Sequence, residues 1–518
     1  MKIFFAFILC CTAKFLSAQT AFTYLFHEVD TNTYAYVHSV HREQDGNFRM
    51  TGMISKSSVA HAFNIKVSAA GNIVSQNILR GDSAQGFYFG ASMRTSDSGY
   101  LFLASSVAHK VGLLKTDSAG TPSWFRLYSD SVNFNYGFVN NNLVEADSSY
   151  YIYGSYHNVP SGMGSEGVIL RVDYSGYVIE EVGFGGQDAA SEVPRAIMKT
   201  QDGAIVTTSS IYPYFSNGYY YAIGVQKWDT ELNLLWSKRY SFNYIQVVNS
   251  IIPLSDSCLL VIGYHNVYQG PVQQFIFKLD PDGNVLWGKC ILPGQASFLR
   301  AIELPDHSFI LHGINNGTIV SRYNSSGNFL SAAQLTGFPG GYNLMERENA
   351  NDDLLMVGPT MAGMSDHRLY FLRMDSAYNA ACNVLPFTIS DSSLSVTDGV
   401  LAIATTPFNI THIDSVLFPS PLNIVVSNLC LPTGIDNQTN SSDVAIYPNP
   451  SADELIISGA FSKGEINIYN ALGEKILSRE IAVGEKEVKL NVKNFTAGIY
   501  VVRISDEKLH WAGKFVKE

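Results

Sequence analysis

Short apolar runs separated by turn residues recur along the chain, and no segment keeps a helical period. One unit reads as four such runs, at 248–254, 258–263, 274–280 and 284–287. Each run has the length of a β-strand, and Asp-Gly, Ser-Gly and Ala-Gly pairs between runs favour tight hairpins because glycine readily adopts a positive φ. The pattern therefore predicts all-β units of four strands.

Two polar markers recur in the same order and set the length of the unit. The first marker follows the first run, with successive gaps of 52, 50, 55, 54, 50 and 46 residues. Such side chains accept hydrogen bonds from backbone N–H groups in turns. The first markers are Asp45, Asp97, Asp147, Asp202, Asp256, Asp306 and Asp352, and the second markers, after the third run, are Ser68, Asp117, Asp173, Asp229, Asp280, Asn324 and Asp375.

Seven units of about 50 residues predict a seven-bladed β-propeller over residues 19–385. The run Phe22–Phe26 is expected to close the ring by joining the last unit, whose fourth strand is poorly defined. A β-solenoid and two stacked sandwiches are the alternative folds. A solenoid usually has shorter coils, so the propeller is favoured.

The marker pattern stops after residue 385, although strand-like runs continue. We expect a small β appendage over residues 386–432, followed by a polar linker at 433–443. A disulfide between Cys382 and Cys430 would bracket the appendage, while Cys258 and Cys290 are either a second pair or buried free thiols.

Residues 444–518 alternate apolar and polar positions cleanly, for example at 487–492 and 498–504. About seven short strands in this length predict a small immunoglobulin-like β-sandwich. The fold class expected for the whole chain is thus all-β: a propeller, an appendage and a C-terminal sandwich.

Four motifs in this last region occur in a fixed order: Tyr447-Pro-Asn-Pro450, 468–473, 497–503 and Lys514-Phe-Val-Lys517. They resemble the type A C-terminal sorting domain of the Bacteroidetes type IX secretion system. An ordinary terminal sandwich used in adhesion is the alternative. The resemblance implies a sorting signal that includes Pro448, Asn449, Pro450, Gly473, Gly498, Tyr500, Lys514 and Lys517.

The same resemblance implies that the type IX machinery is a partner and that the protein is secreted or held at the outer cell surface. Residues 1–18 independently predict a signal peptide, since Lys2 precedes a nine-residue apolar run and Ser17-Ala18 offers a cleavage site. A lipid-modified Cys10 or Cys11 is the alternative, with a poor flanking motif. No later stretch has the about 18 apolar residues of a membrane helix, so we expect no transmembrane segment.

Charge excludes two classes of partner. The net charge is −11; subtracting the leader's +2 and a neutral region 444–518 leaves −13 on residues 19–443. Nucleic acids and anionic lipids bind through Lys and Arg, so an acidic body argues against both.

Six of the twelve histidines lie in or beside the loop between the second and third runs of a unit. Imidazoles favour zinc, copper or nickel, so His61, His109, His157 and His265 are candidate metal ligands. Duplication of loop residues along with the repeat also explains the pattern, and we expect no cofactor.

The same loops are rich in tyrosine, whose flat apolar ring and hydroxyl suit a glycan or a peptide. The candidate binding residues are Tyr212, Tyr214, Tyr219, Tyr264 and Tyr268. Packing within the hairpins is the alternative.

Catalytic signals are weak, because the recurrent acids sit at turns and no G-x-S-x-G motif or Cys–His grouping stands out. We therefore expect a monomeric, non-catalytic module that binds protein or glycan. A carbohydrate-active hydrolase or lyase and a structural or adhesive surface protein are the alternatives.

Overall fold

The computed structural model describes the chain in short ranges within residues 22–518. Every regular element in these ranges is a β-strand, so the fold is all-β as the sequence predicts. No helix there is long and apolar enough to cross a membrane. The described ranges are 22–28, 33–56, 59–68, 71–80, 87–106, 111–129, 134–135, 142–156, 166–186, 189–213, 221–242, 245–266, 272–292, 297–314, 318–335, 344–348, 353–361, 367–374, 384–387, 389–406, 410–414, 417–419, 424–428, 444–459, 461–470, 474–506 and 510–518.

The chain divides into two compact units, Met1–Cys430 and Leu431–Glu518. The strands of the first unit that precede residue 375 are β1 (Phe22–Glu28), β2 (Thr33–Arg42), β3 (Phe48–Lys56), β4 (Val59–Val67), β5 (Ile73–Arg80), β6 (Phe87–Arg94), β7 (Tyr100–Ser106), β8 (Val111–Thr116), β9 (Pro122–Ser129), β10 (Phe134–Asn135), β11 (Leu143–Ala146), β12 (Ser149–Tyr156), β13 (Glu166–Asp173), β14 (Val178–Gly186), β15 (Ala189–Lys199), β16 (Ile205–Pro213), β17 (Ala222–Trp228), β18 (Leu234–Ser241), β19 (Ile245–Pro253), β20 (Leu259–Asn266), β21 (Val272–Leu279), β22 (Val285–Leu292), β23 (Ser297–Glu303), β24 (Phe309–Ile314), β25 (Thr318–Tyr323), β26 (Phe329–Leu335), β27 (Leu344–Glu348), β28 (Asp353–Met361) and β29 (His367–Met374).

These strands form seven antiparallel sheets that follow the repeat. Six are built from consecutive strands: β2–β5, β6–β9, β10–β14, β15–β18, β19–β22 and β23–β26. The seventh combines β27–β29 with β1, where Phe22 lies opposite Arg373 and Phe26 opposite Leu369. The N-terminal run thus completes the last unit, as the sequence predicts.

In five of the units the structure shows two roles for the first marker in the turn between the first and second strands. Asp97 accepts the backbone N–H of Gly99 at 2.9 Å and the Lys115 ammonium at 2.8 Å. Burial opposes the charge, but hydrogen bonds from Lys115, Thr95 and Gly99 lower the pKa of Asp97 to about 2. The marker acid pairs with a third-strand cation in six sheets: Asp45–Lys66, Asp97–Lys115, Asp147–Arg171, Asp202–Lys227, Asp256–Lys278 and Asp306–Arg322. In the seventh sheet the described pair is Asp353–Arg373, one residue after the marker position.

The second marker orders the turn between the third and fourth strands. The Asp229 carboxylate accepts the N–H groups of Glu231 and Asn233 at 2.9 and 2.8 Å. Three residues after the marker φ is positive, at a glycine in five sheets and at Leu232, with φ of 58°, in the fourth. Of the predicted markers, Asp352 and Asp375 lie outside the described residues.

Neighbouring sheets are joined by side chains of the fourth strand. Tyr128 donates a hydrogen bond to the carbonyl of Gly176 at 2.8 Å, and Tyr240 donates to the carbonyl of Gly283 at 2.7 Å. In both pairs the acceptor lies in the turn between the third and fourth strands of the next sheet. The first strands contact one another in the order β2, β6, β11, β15, β19, β23, β27 and back to β2, which is a propeller-like arrangement.

The segment 384–428, here called the strap, supplies one outer strand to every sheet. Its strands β30 to β36 join sheets six, five, four, three, two, one and seven in turn. They are β30 (Val384–Pro386), β31 (Ser390–Ser393), β32 (Thr397–Val400), β33 (Ile403–Thr406), β34 (Thr411–Asp414), β35 (Phe418–Pro419) and β36 (Ile424–Asn428).

This differs from the appendage predicted for residues 386–432, because no described strand of the strap forms a sheet of its own. Without the strap, the outermost strand of each unit would leave N–H and C=O groups unpaired. A short polar strand of the strap pairs with these groups and needs no core of its own. Three acids of the strap pair with fourth-strand cations, at N–O distances of 3.4 to 3.7 Å. The pairs are Asp391–Lys289, Asp398–Lys238 and Asp414–Arg126.

The second unit contains two antiparallel sheets, β37-β38-β41 and β40-β39-β42-β43, around one apolar core that includes Leu455, Ile468 and Val502. Its strands are β37 (Ala445–Tyr447), β38 (Glu454–Ser458), β39 (Gly464–Tyr469), β40 (Lys475–Ile481), β41 (Glu487–Asn491), β42 (Gly498–Asp506) and β43 (His510–Lys517).

Of the cysteines, Cys258 and Cys290 are buried and free, which decides between the two alternatives left open for them. The predicted partners Cys382 and Cys430 lie outside the described residues. So do the signal peptide at 1–18 and the linker at 433–443.

Candidate functional site

Six of the first strands line an open cavity of about 480 Å³ with described residues. Strands β2, β6, β15 and β19 line it over their second halves, close to the turns that hold the first markers, whereas β11 contributes its first two residues and β23 its middle residue. The described lining residues are His38, Ser39 and His41 of β2, Ala91, Ser92, Met93 and Arg94 of β6, Leu143 and Val144 of β11, Ile197 and Met198 of β15, Ile251 of β19 and Arg300 of β23.

The polar and apolar parts of the lining lie on different arcs of the ring. Among the described lining residues, every polar side chain belongs to β23, β2 or β6, whereas those of β11, β15 and β19 are apolar. Arg94 is exposed and Arg300 is partly exposed, and the described lining includes no Asp or Glu. The described lining is therefore amphipathic, and its charged side chains are both cationic although residues 19–443 carry −13.

Each of two histidines lies near one of these arginines. Burial is the main cause that lowers the pKa of His38 to about 3, and the positive charge of Arg300 is the second cause. Burial is likewise the main cause that lowers the pKa of His41 to about 4, followed by the positive charge of Arg94. Both imidazoles are therefore neutral at pH 7, so each ring has one N–H donor and one acceptor nitrogen.

Both histidines have an unsatisfied ring atom. His41 Nε2 lies 2.8 Å from Tyr100 Oη and the two rings stack, which fixes the orientation of His41. Nδ1 of His41 and Nδ1 of His38 are buried without a hydrogen-bond partner among the described residues. An unpaired buried polar atom is costly, so such atoms beside a cavity mark a place where a ligand group or water is bound.

The predicted tyrosine site lies at the opposite ends of the strands. Tyr212 and Tyr264 lie near the ends of β16 and β20, beside the loops to the third strands. The rings of Tyr212 and Tyr221 are 4.2 Å apart, so two aromatic side chains do cluster there. Tyr214, Tyr219 and Tyr268 lie outside the described residues.

The predicted metal ligands are placed on strands that do not line the cavity. His61 lies on β4 and His265 on β20, in different sheets, and both are buried. His265 Nε2 lies 3.6 Å from Cys290 Sγ. Within the described ranges no group of three or more His, Cys, Asp or Glu is arranged to hold a metal ion; His109 and His157 fall outside them.

In the second unit, the Pro-Asn-Pro motif contacts the last strand. Asn449 accepts the backbone N–H of Val516 at 2.9 Å and donates to the carbonyl of Lys514 at 3.2 Å. Ser451 donates its N–H to the Val516 carbonyl at 2.8 Å. The bonds before Pro448 and Pro450 are cis. Two separate parts of the predicted sorting signal therefore form one structural element.

The other predicted sorting residues differ in exposure. Tyr500 is buried, stacks on Phe515 at 5.5 Å and donates to the carbonyl of Thr496 at 2.9 Å. Lys514 is exposed and Lys517 is buried. Gly498 lies opposite Lys517 in the sheet. Gly473 lies outside the described residues.

Comparison with known proteins identifies the second unit. Residues 445–518 match the family "Secretion system C-terminal sorting domain". An endo-acting ulvan lyase of Formosa agariphila is 32% identical over 73 residues, which are 14% of this chain and 14% of the lyase. This chain therefore aligns with only a small part of that enzyme.

Solved structures similar to this chain are remote. Polysaccharide lyase Uly1 gives a TM-score of 0.40 at 8% identity, over 65% of this chain and 89% of that one. A protein of unknown function from Bacteroides caccae gives 0.31 at 11% identity, over 52% and 93%. Scores this low support no argument about fold or activity. The sorting domain and the repeated sheets do identify the chain as a secreted Bacteroidetes-type protein, in which a propeller-like body precedes a type IX sorting domain at residues 445–518.

Proposed function

We propose that the body is a seven-bladed β-propeller and that the terminal domain is an immunoglobulin-like sandwich. The cyclic contacts of the seven first strands support the first assignment. Two antiparallel sheets around one core support the second. Residues 1–18 are the proposed signal peptide, and 433–443 the proposed linker between the two folded units.

We further propose that the propeller is a non-catalytic binding module which acts outside the cell on a protein or glycan ligand. One observation carries this proposal: two buried histidine nitrogens, without partners in the part of the chain that the structure describes, adjoin a central cavity that also contains two arginines. Binding sites are typically concave and mostly apolar, with a few convergent polar groups, and this cavity has that composition.

The hydrolase or lyase alternative has less support. Glycoside hydrolysis commonly requires two facing carboxyl groups, and the described lining residues include none. The ulvan lyase match covers too little of either chain to transfer its substrate. The tyrosine surface at the other ends of the strands is a second proposed binding region, supported by the Tyr212–Tyr221 contact.

Glycan and peptide arrays probed with the purified full-length protein test this function. We expect a ligand whose binding is lost in Met198→Trp, which fills the apolar arc of the cavity, and is kept in Tyr212→Ala. Circular dichroism checks that both variants fold. Loss of binding in Tyr212→Ala alone would indicate that the ligand binds at the tyrosine surface and not in the cavity. Cleavage of an array polysaccharide in solution would contradict a non-catalytic role.

The sorting domain is tested by export from the native host. Deleting residues 444–518 should leave the body in the periplasm, because the type IX machinery recognises this domain. Fractionation followed by immunoblotting measures the result. The single change Asn449→Ala, which removes the two hydrogen bonds to β43, provides a milder second variant.

A further inference from the structure

The two arcs of the central cavity specify more than a general binding role. The described polar arc contains two arginines and two histidines: Arg300 of β23, His38 and His41 of β2, and Arg94 of β6. The facing arc, with Ile197, Met198 and Ile251 among its side chains, is apolar. A ligand that satisfies both arcs has an anionic end and an aliphatic body.

We infer that the cavity binds an organic carboxylate with an aliphatic body, of the kind presented by a free acyl-amino acid or by the C-terminal residue of a peptide. This inference rests on the proposed function and specifies its ligand. Arg94 and Arg300 are the cationic groups that would receive the carboxylate, and a guanidinium matches carboxylate geometry with two parallel N–H donors.

His38 supplies the strongest single support. It is only 5% exposed, it lines the cavity, and its Nδ1 has no hydrogen-bond partner among the described residues. A neutral imidazole nitrogen beside an arginine donates to a carboxylate as an N–H, or accepts from an amide N–H of the ligand in the other tautomer. An acylated amino acid offers both groups within a few ångströms.

A carboxylated sugar fits the same cavity less well. Saccharide rings are commonly held against aromatic faces and by several hydroxyl partners. The described lining contains no aromatic residue besides the two histidines, and its hydroxyls are those of Ser39 and Ser92. Ser92 Oγ already lies 2.7 Å from Thr51 Oγ1. The apolar arc instead suits a branched aliphatic side chain.

The size of the cavity agrees with this choice. About 480 Å³ lies within the range of small-molecule sites. It accommodates one residue-sized group and not a folded segment. For a peptide source, only the C-terminal residue would enter, with the preceding chain leaving past the exposed Arg94.

Isothermal titration of the full-length protein with matched probes tests the inference. N-acetyl-leucine should bind, N-acetyl-leucinamide should bind at least about tenfold more weakly because it lacks the charge, and N-acetyl-glycine should also bind more weakly because it lacks the aliphatic group. A peptide ending in leucine, with a free or amidated C-terminus, distinguishes the peptide source from the free acid.

Variants locate the site. Arg94→Gln and Arg300→Gln should each weaken binding of N-acetyl-leucine about tenfold or more and leave N-acetyl-leucinamide nearly unchanged. Arg239→Gln, an exposed arginine on β18, is the matched control and should change neither. A thermal melt of each variant verifies folding.

Each other outcome overturns the inference in a distinct way. Equal binding of the acid and the amide refutes carboxylate recognition, and tighter binding of glucuronate than of N-acetyl-leucine refutes the aliphatic body. No binding of any carboxylate at millimolar concentration refutes both. In each of these cases the proposed function still holds if an array ligand binds the wild type and fails to bind Met198→Trp. Absence of any array ligand would refute the proposed function itself.

Discussion

The four-stranded units and the strap are held in place by different forces. A unit carries its own side-chain markers, such as Asp97 with Lys115, and shares a buried apolar core with the neighbouring sheet. In the strap, β31 and β32 expose most of their side chains, and apolar residues between its strands, including Ile389 and Ile410, are buried against the sheets. Side chains thus define the units, whereas the strap is held by backbone pairing with each sheet edge and by a few buried apolar residues between its strands.

Removal of the strap should have the largest effect. Deleting residues 384–428 exposes the outer edge of seven sheets, and exposed edges pair with other chains. We expect aggregation or a large loss of thermal stability, measured by size-exclusion chromatography and calorimetry. Deletion of 444–518, whose core is separate, is the control and should leave the melting of the body nearly unchanged. A monodisperse strap deletion with normal melting would mean that the units need no outer strand.

A matched pair of truncations separates side-chain packing from backbone pairing. Ile276 on β21 is fully buried, so Ile276→Ala should lower the free energy of unfolding by about 3 kcal/mol. Val400 on β32 is 84% exposed, so Val400→Ala should change it by less than about 0.5 kcal/mol. Denaturant titration measures both. Similar losses at the two sites would contradict the contrast between unit and strap.

The turn acids should give a smaller, pH-dependent effect. Asp97→Asn leaves the largely buried Lys115 without its charged partner, and we expect a loss of about 1 kcal/mol at pH 7, since Asp97 itself is well exposed. The pKa of Asp97 falls from 3.8 to about 2 on folding. The contribution is therefore present above pH 4 and disappears as the pH falls toward 2.

Unfolding free energies of the wild type and Asp97→Asn, measured across this range, should converge at low pH. Asp414→Asn, which loses a longer 3.7 Å pair between strap and unit, is a comparison variant and should cost less at pH 7. A difference between the wild type and Asp97→Asn that stays constant with pH would show that the carboxylate charge is irrelevant.

Local chemistry explains why the units were predictable from the sequence. The carboxylate of Asp229 and the N–H groups that it accepts lie within four residues, so a repeated motif reveals each turn. The strap was not predictable in this way, because the partners of its strands are distant in the chain: Asp391 lies 102 residues from Lys289. A usable signal did exist, since the three cations that pair with the strap follow a tryptophan by two positions, at 124–126, 236–238 and 287–289.

The cavity was harder to predict than either region. Its histidines lie seven and four positions before Asp45, within an ordinary first strand. Which side chains of that strand face the centre depends on how the seven sheets are arranged, and periodicity within one strand does not specify this arrangement. The sequence pattern instead drew attention to repeated tyrosines and histidines, and those that the structure describes, such as Tyr212 and His265, lie at the other ends of the strands.

Ring resonances of the histidines test the central claim, a ligand site in the cavity, most directly. In ¹H–¹⁵N spectra of the ring nitrogens at pH 7, His38 and His41 should be neutral, and adding N-acetyl-leucine should shift their Nδ1 signals. The exposed His307, on the loop after β23, should not shift. Unchanged His38 and His41 signals at ligand saturation, or equal shifts at His307, would contradict the account.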